Sequence, residues 1–434
     1  MTSKEVGTMK KEHDASIASK ARCATDPRND LRGFSHRYVA AALISVALFG
    51  CGGEGNGDGA SGASAKAAAI PSSTSQAAVS HDQSSSNPAT AILNKMGRAP
   101  RLQFGLGAGQ SIDDMKGQGI RPDIIYTYLV GVGSGSWPYW NTNGAYITYT
   151  AQKDQAYGAT PMFTLYQMAS KGDGNLGGVN DQTFMNNYWS QVRLMYERIN
   201  DLNTPVLVNL EPDFWGYVYS QAPQHDATKM AAVVNNQPEC SSMPNTAAGI
   251  GMCLLSMGRW HAPKALLGFP PAFWNASPDA IAQEMRAIGA DRADFIVAQS
   301  SDRDAGCLEV AEVGECKGRS GPFYRDENNI DTPNFHQEQG QISTYRAALG
   351  NGLPILWWQT PLGVPSSTPG GTPGHYRDDH ADYMLKYPWE YGGISTFAIV
   401  FSGGGTYSTS INTDGGQFAR LFGHYLSYGG VGVK

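Results

Sequence analysis

The stretch Pro205–Trp215, PVLVNLEPDFW, decides how this chain folds. In a strand successive side chains point to opposite faces. Val206, Val208 and Leu210 then share one wholly apolar face, suited to packing under outer helices. Leu207, Asn209, Glu211 and, if the strand runs on, Asp213 share the other. A carboxylate on an inward face is costly to bury unless it is paired or functional, so Glu211 and Asp213 become the first candidate site residues.

Seven similar runs lie outward from this strand. They are Leu102–Leu106, Ile124–Val130, Met162–Met168, Ala265–Phe269, Phe295–Gln299, Ile355–Gln359 and Thr396–Phe401, each short and rich in β-branched or aromatic residues. Helical spacing separates several of them. Phe184, Tyr188, Val192, Met195 and Ile199 form one apolar stripe, and Ile342, Tyr345 and Leu349 another. Ser277–Pro278 reads as an N-cap with a first-turn proline, Ile281, Met285 and Ile288 as the stripe that follows, and Gly289 as its stop. Strand–helix alternation repeated in this way predicts an α/β fold of the (β/α)₈ TIM-type barrel class over residues 96–434. An open doubly wound sheet is the alternative, but no GxGxxG follows the first strand as it would require.

In such barrels chemistry collects at the C-terminal ends of the strands. Those ends carry Tyr126 and Tyr128, Tyr166 and Gln167, Glu211 and Asp213, Phe273 and Trp274, Gln299 with Asp302 and Asp304, then Trp357, Trp358 and Gln359. Acids two residues apart can perturb each other's proton affinity, which suits general acid catalysis. Aromatic rings match the C–H faces of sugars, so Tyr126, Tyr128, Tyr166, Trp215, Trp274 and Trp357, with Gln359, are the expected substrate-binding set. Alternation forbids Trp357 and Trp358 from both facing the lumen; Trp357 is expected to share its face with Gln359.

Two resemblances attach to these residues. VNLEP is similar to the Asn-Glu-Pro signature on the fourth strand of retaining barrel glycosidases, where the Glu is the acid/base; here Leu210 separates Asn209 from Glu211. Those enzymes also place a nucleophilic Glu on strand seven, where LWWQTP offers Gln359, an amide that cannot form a glycosyl ester. LEPD, Leu210–Asp213, resembles the strand of family 6 cellulases, inverting enzymes on a modified barrel whose general acid is that Asp. PMFTLYQMASKGDG is similar to their upstream strand and loop, with Asp173 nearest to a further catalytic aspartate, one position out of register. Cys240 and Cys253 followed by KALLGFPPAFW fit the order of that family's cysteine-bearing helix and next strand, while its C-terminal lysine, glycine and aspartate signature is missing. Both resemblances imply a glycosidase-like barrel. Inversion further requires a distant carboxylate to activate water. Asp302, Asp304, Asp378 and Asp379 are available, with Asp304 preferred because a Cys307–Cys316 loop would hold it still.

Upstream, Arg32, His36 and Arg37 precede the apolar run Val39–Phe49, too short to span a bilayer but suited to a signal peptide. Leu48-Phe49-Gly50-Cys51 resembles the lipobox of bacterial lipoproteins, which implies a signal over residues 1–50, lipidation of Cys51 and membrane attachment through that lipid. Residues 51–95 are then expected to be the lipidated cysteine and a flexible Gly/Ser/Ala linker. Export favours disulfides. Of the three pairings open to the four remaining cysteines, the sequence-local one, Cys240–Cys253 and Cys307–Cys316, is expected; no CxxC spacing supports zinc.

The remaining motifs are bland. HYRDDH, with His375 and His380, matches no metal motif and is expected to be a solvated loop; SGGGTYS lacks the GK[ST] of a phosphate loop; no G-x-S-x-G elbow is present. A formal net charge of −6 and the lack of a basic stripe argue against nucleic acid. The expectation is a monomeric, cell-envelope lipoprotein without cofactor or metal, which hydrolyses a polysaccharide or oligosaccharide through Glu211, Asp213 and Asp304. The rival from another class is a non-catalytic glycan-binding lipoprotein that uses the barrel mouth as its cleft.

Overall fold

The computed structural model describes residues 87–107, 109–274, 276–300, 317, 325–362, 380–402 and 409–434. The expected signal, Cys51, Asp302, Asp304, Cys307, Cys316, His375, Asp378 and Asp379 lie outside these residues.

Eight parallel strands close into a barrel in sequence order. They are β1 (Gln103–Gly107), β2 (Ile124–Val130), β3 (Thr160–Tyr166), β4 (Val206–Leu210), β5 (Ala265–Phe269), β6 (Phe295–Gln299), β7 (Ile355–Pro361) and β8 (Thr396–Ser402). Register places Tyr128 beside Thr164, Thr164 beside Asn209 and Asn209 beside Gly268, one continuous row, while Gln299 lies beside Trp358. Val206, Val208 and Leu210 fall on the opposite face and are fully buried, as their alternation predicts. β1 carries Gly107 where β2 carries a ring: a Cβ there would lie 2.2 Å from the Tyr126 side chain.

The outer helices follow the stripes read from sequence. Helix Gln182–Asp201 starts at Asp181, whose carboxylate accepts from the amides of Thr183 and Phe184, and it buries Phe184, Tyr188, Val192, Met195 and Ile199. Helix Pro278–Ala287 is capped by Ser277 and buries Ile281 and Met285, and Gly289 beyond it takes φ 89°. The Cys240–Cys253 disulfide ties the turn Pro238–Cys240 to helix Ala247–His261. No helix among the described residues is long and apolar enough to cross a membrane.

One boundary needs correction. Helix Pro88–Met96, capped by Asn87, takes in the last residues assigned to the linker, up to 95, with Ala89, Ile92 and Leu93 buried in the common core. The spacing Ala89, Ile92, Leu93, Met96 is amphipathic, but the polar tract before it masks so short a stripe. The barrel's core therefore includes residues from this helix, which the linker was expected to hold.

The barrel's base is closed by both ends of this body. Asp123 accepts two bonds from the Arg101 guanidinium, at 2.9 and 2.7 Å, and one from the Phe104 amide. The Leu102 amide donates to the Val431 carbonyl, and the Tyr425 hydroxyl donates to the Leu102 carbonyl at 2.7 Å. β1 and β8 pair along all of β1.

Candidate active site

β4 ends in a tight reversal. Glu211 and Asp213 both adopt positive φ, 54° and 65°, on either side of Pro212. Non-glycine residues enter this region at a cost and mostly where surrounding structure demands it. The reversal breaks the alternation that would have left both acids on the lumen face, and it separates them.

Glu211 turns into the wall. Its side chain is fully buried, and its carboxylate oxygens accept from the Gln167 amide at 3.0 and 3.2 Å and from the Met168 amide at 3.0 Å. The Tyr188 phenol lies near this carboxylate but outside hydrogen-bond geometry, and burial, then the Glu211 charge, raise it well above its ordinary value. Burial pushes Glu211 itself up to about 8, with the backbone donors pulling the other way. Here the acid is a clamp on the segment that leaves β3.

Asp213 turns to the mouth, half-buried, and meets Asp173 from the loop after β3. The Tyr166 hydroxyl lies 2.7 Å from Asp173 Oδ1 and 3.1 Å from Asp213 Oδ2. The two carboxylates are thus no further apart than those two bonds laid end to end. Burial and then the charges of Asp213 and Asp173 raise the Tyr166 phenol well above its ordinary value. Burial and the same two charges raise Tyr217 to about 12. Both phenols stay protonated near neutrality. The recess among Tyr166, Asp173, Asp213 and Tyr217 has about 10 Å³, the room of one water molecule. The recess has no room for a ligand the size of a ring.

The rim carries Trp274, 46% exposed, with its ring 5.0 Å from that of Tyr217. Helix Phe214–Gln221 makes room for it at Gly216, where a Cβ would come within 2.8 Å of the indole. Beneath, Tyr126, Tyr128, Tyr166 and Trp358 fill the lumen with edge-to-face contacts at 5.8–6.1 Å. These side chains are nearly inaccessible, and the Gln359 amide donates to the Tyr128 hydroxyl.

Two expected platforms sit elsewhere. Trp215 is 2% exposed, donates its indole N–H to the Leu210 carbonyl at 2.9 Å and packs on Phe214 and Phe269. Trp357 points out of the barrel, donating to Thr396 Oγ1 at 3.1 Å and meeting Tyr391. The pairing of Trp357 with Gln359 fails because Gln359 takes φ 58° where the β7–β8 register slips between Trp358 and Thr360. That bulge brings Trp358 and Gln359 to the same side. Tyr217 was missed; it stands in the first turn of helix Phe214–Gln221, which begins directly after Asp213. His380 also departs from expectation. It is fully buried against Phe335, and burial with the nearby Arg325 charge lowers it well below its ordinary value. Among the described residues no group of three His, Cys, Asp or Glu side chains could hold a metal ion.

No protein-family model matches this chain, and no curated protein matches it. Among solved structures it is similar to GH26C from Muricauda sp. MAR_2010_75, at 10% identity over 80% of this chain and 90% of that one, with TM-score 0.48. It is also similar to the GH26 β-mannanase BoMan26A from Bacteroides ovatus, at 13% identity over 80% and 95%, TM-score 0.42. A third is D-psicose 3-epimerase from Clostridium cellulolyticum H10, at 10% identity over 75% and 98%, TM-score 0.40. Likenesses at this level carry nothing toward an activity, and the barrel rests on its own strand pairing.

Proposed function

We propose that this chain is a glycoside hydrolase-like lipoprotein of the cell envelope, anchored through Cys51, that hydrolyses a polysaccharide by carboxylate acid/base chemistry. The observation that carries this reading is the meeting of Asp173 and Asp213 on one phenol at the barrel mouth, beside an exposed tryptophan.

The Tyr166 hydroxyl reaches both carboxylates, at 2.7 Å to Asp173 and 3.1 Å to Asp213. Asp213, which ends the β4 reversal at the mouth, is the acid that protonates the leaving glycosidic oxygen, and Asp173, through Tyr166, is a positioning residue beside it. Glu211 acts as a positioning residue by fixing the segment that leads to Asp173. Asp173 and Asp213 stand side by side and do not flank a bond, so a water-activating base must come from across the mouth. Asp304 remains the proposed base, with inversion as the outcome. Trp274 and Tyr217 offer faces for sugar rings.

The glycan-binding reading keeps one observation in its favour: Gln359, an amide, occupies the mouth of β7 and is committed to Tyr128. Product release by the full-length chain from β- and α-glucans, xylan, mannan and chitin separates the two. Turnover lost in Asp213→Asn supports hydrolysis. Binding without turnover on every polymer sinks it.

A further inference from the structure

A second recess opens beside the loop that follows β2. The chain leaves β2 through Gly131, Gly133 and Gly135, all at positive φ, and buries Trp137 completely. The turn Trp137–Tyr139 then leaves Tyr139 67% exposed. Trp140 stands edge-on to Tyr146 at 4.9 Å, with its indole N–H donated to the Gly135 carbonyl. Facing this loop is the flank of helix Gln182–Asp201 that carries Asn187 and Ser190, and the space between has about 670 Å³.

The lining has a consistent chemistry. It contains no charged side chain. The side chains of Asn141, Thr142, Asn143 and Asn187 make no hydrogen bond to other described residues, and Asn143 is held at φ 56°. Beneath them Gln191 is committed, bonding Ser136 at 2.9 Å and Gln167 at 2.6 Å, so the floor is rigid while the rim is free. The nearby Arg198 guanidinium is taken up by the Asn143 carbonyl at 2.9 Å and by Asp201 at 2.7 Å, so the lining offers a charged ligand no side-chain counter-ion. An apolar helix would strip water from several amides without replacing their bonds. A neutral, hydroxyl-rich chain satisfies both demands, with ring C–H faces on Tyr139 and hydroxyls on the asparagines.

We infer that this recess binds a neutral oligosaccharide at a site separate from the acid pair. The loop leaves the C-terminal end of β2, the end of the barrel that also bears Asp213, and its lining shares no residue with the acid recess. The inference concerns binding alone and stands whether or not Asp213 turns substrate over.

Hydrogen–deuterium exchange on the full-length Asp213→Asn protein tests it, with cellohexaose, mannohexaose and xylohexaose at millimolar concentration as probes. At least one hexaose slows exchange in peptides covering residues 137–145 and 186–195. The Tyr139→Ala/Asn187→Ala double variant loses that protection, with affinity at least tenfold weaker and unchanged thermal melting. Trp260→Ala, an equally exposed aromatic on helix Ala247–His261, keeps it. Protection absent from these peptides with all three sugars, confined to those around Asp173 and Asp213, or persisting in the double variant, overturns the site.

Discussion

Glu211 and Asp213 stand two residues apart and lie in different worlds. The first is sealed in the wall, with two backbone amides as partners. The second stands at the mouth, half-exposed, sharing a phenol with another acid. Backbone donors are fixed in place, so a carboxylate that accepts from them holds a loop still. The Tyr166 hydroxyl ties its two acids to a side chain at the mouth and not to a backbone segment, which leaves them open to a ligand. The contrast shows that an acid's partner says more about its use than its place in a motif.

Substitutions can break this contrast, beginning with the strongest effect. Asp213→Asn lowers kcat on a responsive polysaccharide by about 10² to 10⁴, the usual worth of a general acid, with melting little changed; a near-wild-type rate would move the acid elsewhere. Glu211→Ala leaves two buried amides without acceptors and opens a cavity, at a cost of about 3 kcal/mol. Denaturant unfolding reads this loss, and a change within error would mean the clamp is idle.

The third prediction concerns pH. Folding raises Glu211 from 4.5 to about 8, Asp154 from 3.8 to about 8 and Glu284 from 4.5 to about 7, in each case first through burial. A raised acid binds its proton more tightly in the folded state, so its stabilisation is full below the unfolded value and disappears as pH rises through 7 to 8. Glu239 works oppositely: Arg193 draws it to about 2, and its contribution is lost as pH falls below 4.5. Stability should peak in mildly acidic solution. Glu211→Gln, a permanently neutral stand-in, should flatten the decline toward pH 8; an unchanged profile would show that Glu211 does not titrate with folding. The smallest effect belongs to Trp274→Ala, which should raise KM several-fold, consistent with roughly 1 kcal/mol of stacking, while leaving kcat nearly intact.

Much of the barrel was readable because alternation and helical stripes are properties of long segments. β2, β5 and β6 carry the bounds read from their residues, and Val206, Val208 and Leu210 face as their spacing required. β3 runs Thr160–Tyr166 where Met162–Met168 was expected, and Pro161 sits near its start, where a strand tolerates proline. The site was less readable because it is made where regularity stops. Positive φ at Glu211 and Asp213, and again at Gln359, redirects side chains in a way no period records. Gln359 left the face of Trp357 for that of Trp358 for that reason, and Trp215 went inward, where its indole N–H meets the Leu210 carbonyl. Asp173 emerged only from a resemblance, since nothing in its own loop marks it.

The clasp at the barrel's base has a consequence for how the chain reaches this form. β1 and β8 are the first and last strands, and their pairing closes the longest loop in the barrel. Loop closure grows costlier with length and is met only when later contacts compensate it. β1, QFGLG, brings two glycines to that task. Until Leu102, Tyr425 and Val431 engage, a nearly complete molecule exposes two strand edges with open backbone groups, the form most prone to pair with a neighbour. Refolding yield should therefore fall with protein concentration, and the seam is where a stabilising change would do most to rescue it.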